Sequence, residues 1–231
     1  MYGIAKEVVD RLAARRGKLH CIEQIDPAHA ALVVIDMQNY FLAPGYLGEV
    51  APARAIVPAI NQAARTLRAA GGTVVWVLTA SDGADRDWTF VHRTLMDSER
   101  SARRLAELAE GSEGFRLWPA LEARPADLRL VKRRYSAFIQ GSSRLEHELR
   151  DRDIDTVLIA GTSTNVCCES SARDAMMLDF RTVMLADALA AQTPELHAAA
   201  LTNCLLYFGD VMNVAEAAAL LRPNTRGEVP C

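Results

Sequence analysis

Residues 156–170 read Thr-Val-Leu-Ile-Ala-Gly-Thr-Ser-Thr-Asn-Val-Cys-Cys-Glu-Ser. The first five are apolar or β-branched without alternation, which marks a strand covered on both faces, as in a parallel sheet. A short turn follows, and then Cys168, Ala172, Ala175 and Met176 recur at helical spacing. A buried strand running through a tight turn into a helix is half of a βαβ unit. The same pattern recurs at 31–35, 73–78 and 182–185, with 128–131 as a weaker fifth run. Helical patterns occupy 55–70, 143–150, 166–178, 194–207 and 214–221, the last stopping before Pro223. The first stripe, with Ile56, Ile60, Ala63, Ala64 and Leu67, ends at Gly71-Gly72.

Strand and helix in alternation predict an α/β fold: an open, doubly wound, mostly parallel sheet with helices on both faces, three-layered and Rossmann-like. Residues 1–28 are expected to form an N-terminal helical extension, and 29–231 a single domain. Residues 81–126 break the rhythm and are read as an excursion over the sheet.

Composition narrows the function. The chain has 231 residues, 50% hydrophobic and 24% charged, which suits a soluble globular protein with a full core. A net charge of −3, with Lys132-Arg133-Arg134 as the only dense basic cluster, argues against nucleic acid as a partner. No run approaches the ~18 apolar residues of a membrane span. The five cysteines, at 21, 167, 168, 204 and 231, form no CxxC and no repeated spacing, which points to a reducing cytoplasm. No GxGxxG follows any strand, against a dinucleotide-binding oxidoreductase.

In open α/β sheets the ligand lies beyond the carboxyl ends of the strands. The first strand runs into Asp36, the weaker one into Lys132, and the strand at 156–160 into Cys167. A carboxylate, an ammonium and a thiol converging on one crevice make a nucleophilic-catalysis set. Taken singly, each has a plain structural reading: a loop cap, a solvated charge, a small buried hydrophobe. Helix geometry separates the paired cysteines. Cys168 belongs to the apolar stripe facing the sheet, and Cys167 lies about 100° around the helix, in its first turn. There the helix dipole and a nearby lysine are expected to favour the thiolate.

The motifs LVVIDMQNYF, VKRRYSAF and GTSTNVCCESSARDA occur in the order found in the isochorismatase-like cysteine hydrolases. This superfamily includes nicotinamidases and amidases, and the last motif most resembles its ureidoacrylate amidohydrolase-like branch. The resemblance spans roughly residues 29–221. It implies a catalytic triad of Asp36, Lys132 and Cys167, a cis peptide at Thr162-Ser163, and an oxyanion hole from the backbone N–H groups of Ser163 and Cys167. It also implies a homo-oligomer, dimer or tetramer. Two departures matter. The metal-binding nicotinamidases carry histidines in the loops after the first two strands, and here APGYLGEVAPAR and TASDGADRDW hold none. His20, His29, His92, His147 and His197 show no ligand spacing, so neither metal nor cofactor is expected. Isochorismatases proper, which cleave a vinyl ether, lack the nucleophilic cysteine.

The expected activity is hydrolysis of the C–N bond of a small amide or ureido substrate through a thioester. The alternatives are vinyl-ether hydrolysis, a redox-sensing thiol pairing Cys167 with Cys168 or Cys204, and a non-catalytic binding module. Gln38, Tyr135 and Asn165 orient the triad or substrate, or serve as turn and packing residues. Phe41, Trp88 and Phe138 are candidate pocket walls, Trp88 as part of a lid or of a partner subunit's contribution. Trp76, inside a strand, is read as core.

Overall fold

The computed structural model describes residues 2–222; residues 223–231, with Pro223, Cys231 and the expected domain end, lie outside the described residues. Among the described residues six strands form one sheet: β1 (Ala30–Ile35), β2 (Thr73–Thr79), β3 (Leu128–Lys132), β4 (Thr156–Thr162), β5 (Arg181–Ala190) and β6 (Asp210–Met212). Their spatial order is β3-β2-β1-β4-β5-β6, and every pairing is parallel. The helices are α1 (Lys6–Arg16), α2 (Asn39–Leu42), α3 (Val57–Ala69), α4 (Ala84–Asp87), α5 (Ser98–Glu107), α6 (Leu145–Arg150), α7 (Glu169–Met177), α8 (Pro194–Asn203) and α9 (Val214–Ala219). The three-residue strand β6 was too short to leave a periodic signal in the sequence.

Successive side chains of a strand point to opposite faces, and β1 distributes itself accordingly. Ala30, Leu32 and Val34 enter a cluster with Ile60, Ala64 and Leu67 of α3 and Ala217 of α9. Ala31, Val33 and Ile35 enter the opposite one, with Leu145 and Leu149 of α6, Ala172 and Ala175 of α7, and Leu201 of α8. Two covered faces are what uninterrupted apolar strands require. Ile4 and Leu12 join that second cluster, so the N-terminal segment packs on the same core as the rest of the chain.

The excursion contains α4, a π-helical turn over Val91–Leu95, and α5, which Asp97 caps by accepting from the Arg100 N–H at 2.7 Å. It is fastened to the sheet rather than lying loose over it. Ser81 N–H donates to the Leu108 carbonyl, and Leu108 is fully buried in the first cluster.

Strand order reverses between β1 and β4, the switch point of an open α/β sheet, where a crevice opens at the carboxyl edge. Close approach there depends on Gly161, whose φ is +116°. A Cβ on this residue would stand 2.0 Å from the Ile35 carbonyl oxygen of β1, a backbone atom that cannot swing away. Gly161→Ala is therefore expected to cost about 2–4 kcal/mol from left-handed strain and overpacking together. Urea unfolding midpoints against wild type measure it, and an unchanged midpoint would refute the close-approach argument.

Candidate active site

Strand β1 ends at Asp36, whose φ of 57° lies in the left-handed region that aspartate tolerates better than most side chains. Its N–H is held by the Val77 carbonyl of β2 at 2.9 Å. Next to it, the last residue of β2 is in register with the last of β3, Thr79 with Lys132. Three side chains meet over these strand ends. Lys132 Nζ lies 2.9 Å from Asp36 Oδ2, Thr79 Oγ1 donates to Asp36 Oδ1 at 2.7 Å, and Lys132 Nζ donates to Thr79 Oγ1 at 2.6 Å. The ammonium also donates to the Arg134 carbonyl at 3.1 Å. Asp36 and Lys132 are both 0% exposed.

Thr79 was missed in the sequence, although it ends a strand, the place where the other two were found. A hydroxyl that donates to one partner and accepts from the other ties the pair into one unit. Gln38 sets this hydroxyl. Its amide donates to the Thr79 and Phe115 carbonyls at 3.0 and 2.9 Å, and its oxygen accepts the Thr79 N–H at 2.8 Å. Both amide hydrogens and the oxygen are thus committed inside the protein. Gln38, expected among the substrate-binding residues, is instead a buried brace between β1, β2 and the segment after α5.

Across the switch point, β4 ends at Thr162, whose peptide bond to Ser163 is cis. Thr162 Oγ1 donates to the Ala190 carbonyl of β5 at 3.1 Å. The chain then makes a π-helical turn, Thr164–Cys168, before α7 begins at Glu169. Cys167 therefore sits in a wide turn ahead of the α-helix, not in that helix's own first turn as the periodicity suggested. Ser171 Oγ donates to the Cys167 carbonyl at 2.7 Å and accepts the Ala137 N–H at 3.0 Å, so the loop after β3 and the turn bearing Cys167 hold each other. Cys167 is 6% exposed, and Asp36 and Lys132 are the charged groups that act most strongly on its thiol. Asp36 Oδ2 makes its ion pair with Lys132 but no aligned hydrogen bond, which leaves a lone pair for the thiol.

The electrostatics differ from the thiolate expected at a helix start. Burial pushes the Cys167 thiol up to about 12, and the Asp36 carboxylate adds to the shift, against the opposing pull of Lys132. Removal from water, with the Asp36 charge, outweighs the pull of the ammonium. Lys132 itself, although burial draws it down, is held above the ordinary lysine range by the charge of Asp36 and by Cys167. The resting site is therefore a thiol beside a carboxylate–ammonium pair. Cys168 is fully buried with its thiol pushed well above the usual range by burial, the inward core position its stripe predicted.

The remaining candidates separate. Trp88 and Tyr135 are half-buried and meet edge-to-face at 4.7 Å, with the Arg134 guanidinium 5.4 Å from the indole. Asn165 is half-buried at the start of the π-helical turn. Phe41, on α2, packs edge-to-face on Tyr40 at 4.8 Å. Phe138, expected to wall the substrate pocket, packs away from the triad instead: its ring lies 5.6 Å from Phe180, just ahead of the amino end of β5, in the cluster that holds Leu145, Leu149 and Ala175. Trp76 is fully buried, as its place in a strand suggested, and donates to Asp127 at 2.8 Å. The run after β3 divides by function: Lys132 turns inward, Arg133 pairs with Glu110 at 2.8 Å, and Arg134 donates to the Asp87 carbonyl at 2.8 Å. Both arginines clamp the excursion over the strand ends.

An open parallel sheet with a buried cysteine, carboxylate and ammonium at its switch point is the arrangement of a cysteine hydrolase. The isochorismatase domain model matches residues 30–216. The chain belongs to the isochorismatase family. It is 35% identical over 210 residues to ureidoacrylate amidohydrolase RutB of Methylobacterium radiotolerans, covering 83% of this chain and 79% of that protein. Among solved structures, a cysteine hydrolase from Pseudomonas syringae pv. phaseolicola superposes with a TM-score of 0.76 at 28% identity, covering 85% of this chain and 93% of that one. A pyrazinamidase/nicotinamidase from Streptococcus mutans gives 0.68 at 25% identity, covering 79% and 99%.

Breaking a buried ion pair by removing one partner strands the other charge, at a cost of about 3–5 kcal/mol. Lys132→Met is expected to lower stability by that amount. Lys132 is raised in the folded state, so its contribution is full below the unfolded lysine value of about 10.4 and is lost only as pH rises through the higher folded value. The advantage of wild type over Lys132→Met in urea midpoint should thus persist beyond about pH 9. Its disappearance by pH 8 would mean that Lys132 is neutral in the folded protein.

Proposed function

We propose that the protein hydrolyses the C–N bond of a small amide or ureido compound, with Cys167 as nucleophile, Asp36 as general base and Lys132 as the charge that holds them. The observation that carries this is the buried Asp36–Lys132–Thr79 cluster at the strand ends, whose charges act on the buried Cys167 thiol across the switch point. A thiol pushed up to about 12 cannot attack as a standing thiolate at neutral pH. The proton must leave as the S–C bond forms, and the free lone pair of Asp36 is there to take it.

The sulfur adds to the substrate carbonyl, and its proton passes to Asp36. Backbone N–H groups of Ser163 and Cys167 receive the oxyanion, a contribution typically worth about 3 kcal/mol for each donor. Collapse breaks the C–N bond, Asp36 returns the proton to the departing nitrogen, and ammonia or an amine leaves. Water then attacks the thioester with Asp36 as base, releasing an acid or carbamate and restoring the thiol. Lys132 holds Asp36 in place through their ion pair between these transfers. Thiol, carboxylate and ammonium suffice for every step, so the reading calls for no cofactor. Trp88, Tyr135 and Asn165, at the half-buried rim, are proposed to contact substrate. The relatedness to ureidoacrylate amidohydrolase, together with a nucleophilic cysteine, favours C–N over vinyl-ether cleavage.

Cys167→Ala is expected to lower kcat for ammonia or amine release by at least ~10³-fold, while Cys168→Ala stays within about tenfold of wild type. A coupled assay over small amides and ureido compounds measures both. Full turnover by Cys167→Ala would overturn the nucleophile assignment.

We further propose that it works as a homodimer or tetramer in the cytoplasm. Among the described residues no helix is long and apolar enough to cross a membrane, and Phe90 and Leu95 expose apolar surface on the excursion. Sedimentation velocity is expected to give a species of twice or four times the 25.3 kDa chain; a single species at chain mass would reject the assembly.

A further inference from the structure

Ser163 stands half-buried between two fully buried threonines, Thr162 and Thr164. Each threonine hydroxyl is spent on an element beyond its own segment. Thr162 Oγ1 donates to the Ala190 carbonyl at the end of β5, and Thr164 Oγ1 lies 2.9 Å from Nδ1 of His197 on α8. The Ser163 carbonyl accepts the N–H groups of Val166 and Cys168 at 3.1 and 3.2 Å, which closes the π-helical turn on Ser163. At the far end of that turn, Ser171 Oγ holds the Cys167 carbonyl at 2.7 Å. The span from Ser163 to Cys167 is thus pinned at both ends, to β5 and α8 at one and through Ser171 at the other.

Of the two anchors at the near end, Ala190 offers a backbone carbonyl and His197 a side chain, 33 residues beyond Thr164. Burial draws the His197 ring below the ordinary histidine range. At neutral pH it is therefore an uncharged imidazole, with one nitrogen donating and the other accepting. An oxyanion site is exacting about distance. Its donors act at about 2.7–3.1 Å from the oxygen, and a displacement near 1 Å costs as much as ~10²-fold in rate. Whatever fixes the start of the turn therefore bears on where the two N–H groups point.

We propose that His197 is a positioning residue of the oxyanion site: through the Thr164 hydroxyl it holds the start of the turn, so that the Ser163 and Cys167 N–H groups converge on one point. The proposal rests on the nucleophile and oxyanion reading given above. It extends the site to α8, on the side of the crevice away from Asp36 and Lys132.

Two reagents separate this role from a general structural one. p-Nitrophenyl acetate needs an oxyanion site: the Cys167 sulfur takes the acetyl group, p-nitrophenolate leaves with the bonding electrons, and the thiol proton passes to Asp36. Iodoacetamide does not, because sulfur displaces iodide from a saturated carbon. The p-nitrophenolate burst, less that of Cys167→Ala, gives the acetylation rate, and peptide mapping by mass spectrometry gives the alkylation rate at Cys167. His197→Leu and Thr164→Val are each expected to slow acetylation about 10- to 100-fold, while alkylation stays within about twofold of wild type. The double variant is expected to fall no more than about threefold below the slower single one, since both changes remove the same bond. His197→Asn, whose amide takes the place of Nδ1, is expected to recover at least about a third of the wild-type acetylation rate. If Thr164→Val does not fold, His197→Leu and His197→Asn decide alone. Acetylation of His197→Leu at the wild-type rate, losses that multiply in the double variant, no recovery by His197→Asn, or an equal fall in both reactions overturns the proposal. A wild-type burst no larger than that of Cys167→Ala rejects the nucleophile reading itself, and the proposal falls with it.

Discussion

The site is organised by the need of two charges, Asp36 and Lys132, to survive without water. Neither is exposed, and removing either charge alone from solvent would cost several kcal/mol. Each persists because the other lies 2.9 Å away and because Thr79 and the Arg134 carbonyl take up the remaining hydrogen-bonding capacity. That requirement fixes the carboxyl ends of β1, β2 and β3 relative to one another. Gln38 then fixes Thr79, and Ser171 fixes the loop after β3 to the turn carrying Cys167. The core supplies the platform, and the ion pair dictates where the strand ends must stand on it.

The same dryness shapes the chemistry. In water a thiol beside a lysine would lose its proton more readily than a free one; here burial and the adjacent carboxylate push it the other way, up to about 12. In the proposed mechanism reactivity is therefore conditional on a proton acceptor beside the thiol, the role given there to Asp36. A nucleophile that is protonated at rest and deprotonated only in the act of attack is shielded from casual alkylation and oxidation. Cys168 and Cys204, buried in the same core with raised thiols, lack such a carboxylate contact and serve as packing.

The excursion completes what the sheet begins. Arg133 and Arg134 leave the end of β3 outward and hold it down, through Glu110 and the Asp87 carbonyl. Arg104 reaches back from α5 over the strand ends. Basic residues that look alike in sequence thus stand in three settings: Lys132 neutralises the buried Asp36 carboxylate, Arg133 and Arg134 fasten a cover, and Arg104 is buried with its Nε unpartnered.

Local pattern by itself determined the layered α/β architecture, since strands such as 156–160 are apolar at every position and can exist only when both faces are covered. It likewise placed Asp36, Lys132 and Cys167 at strand ends, and it separated Cys168 from Cys167 by helical spacing. It could not show that Gln38 is spent as a brace, that Phe138 packs on Phe180 away from the triad, or that Cys167 sits in a π-helical turn with a raised thiol. Nor could it distinguish Arg104 from its neighbours Arg100 and Arg103. Those outcomes depend on burial and on partners forty or more residues away, as with Gln38 and Thr79, or Asp36 and Lys132. Such pairings leave no trace in local periodicity. Only the tertiary structure decides which charges are dry, and in this protein dryness is what separates a functional side chain from an ordinary one.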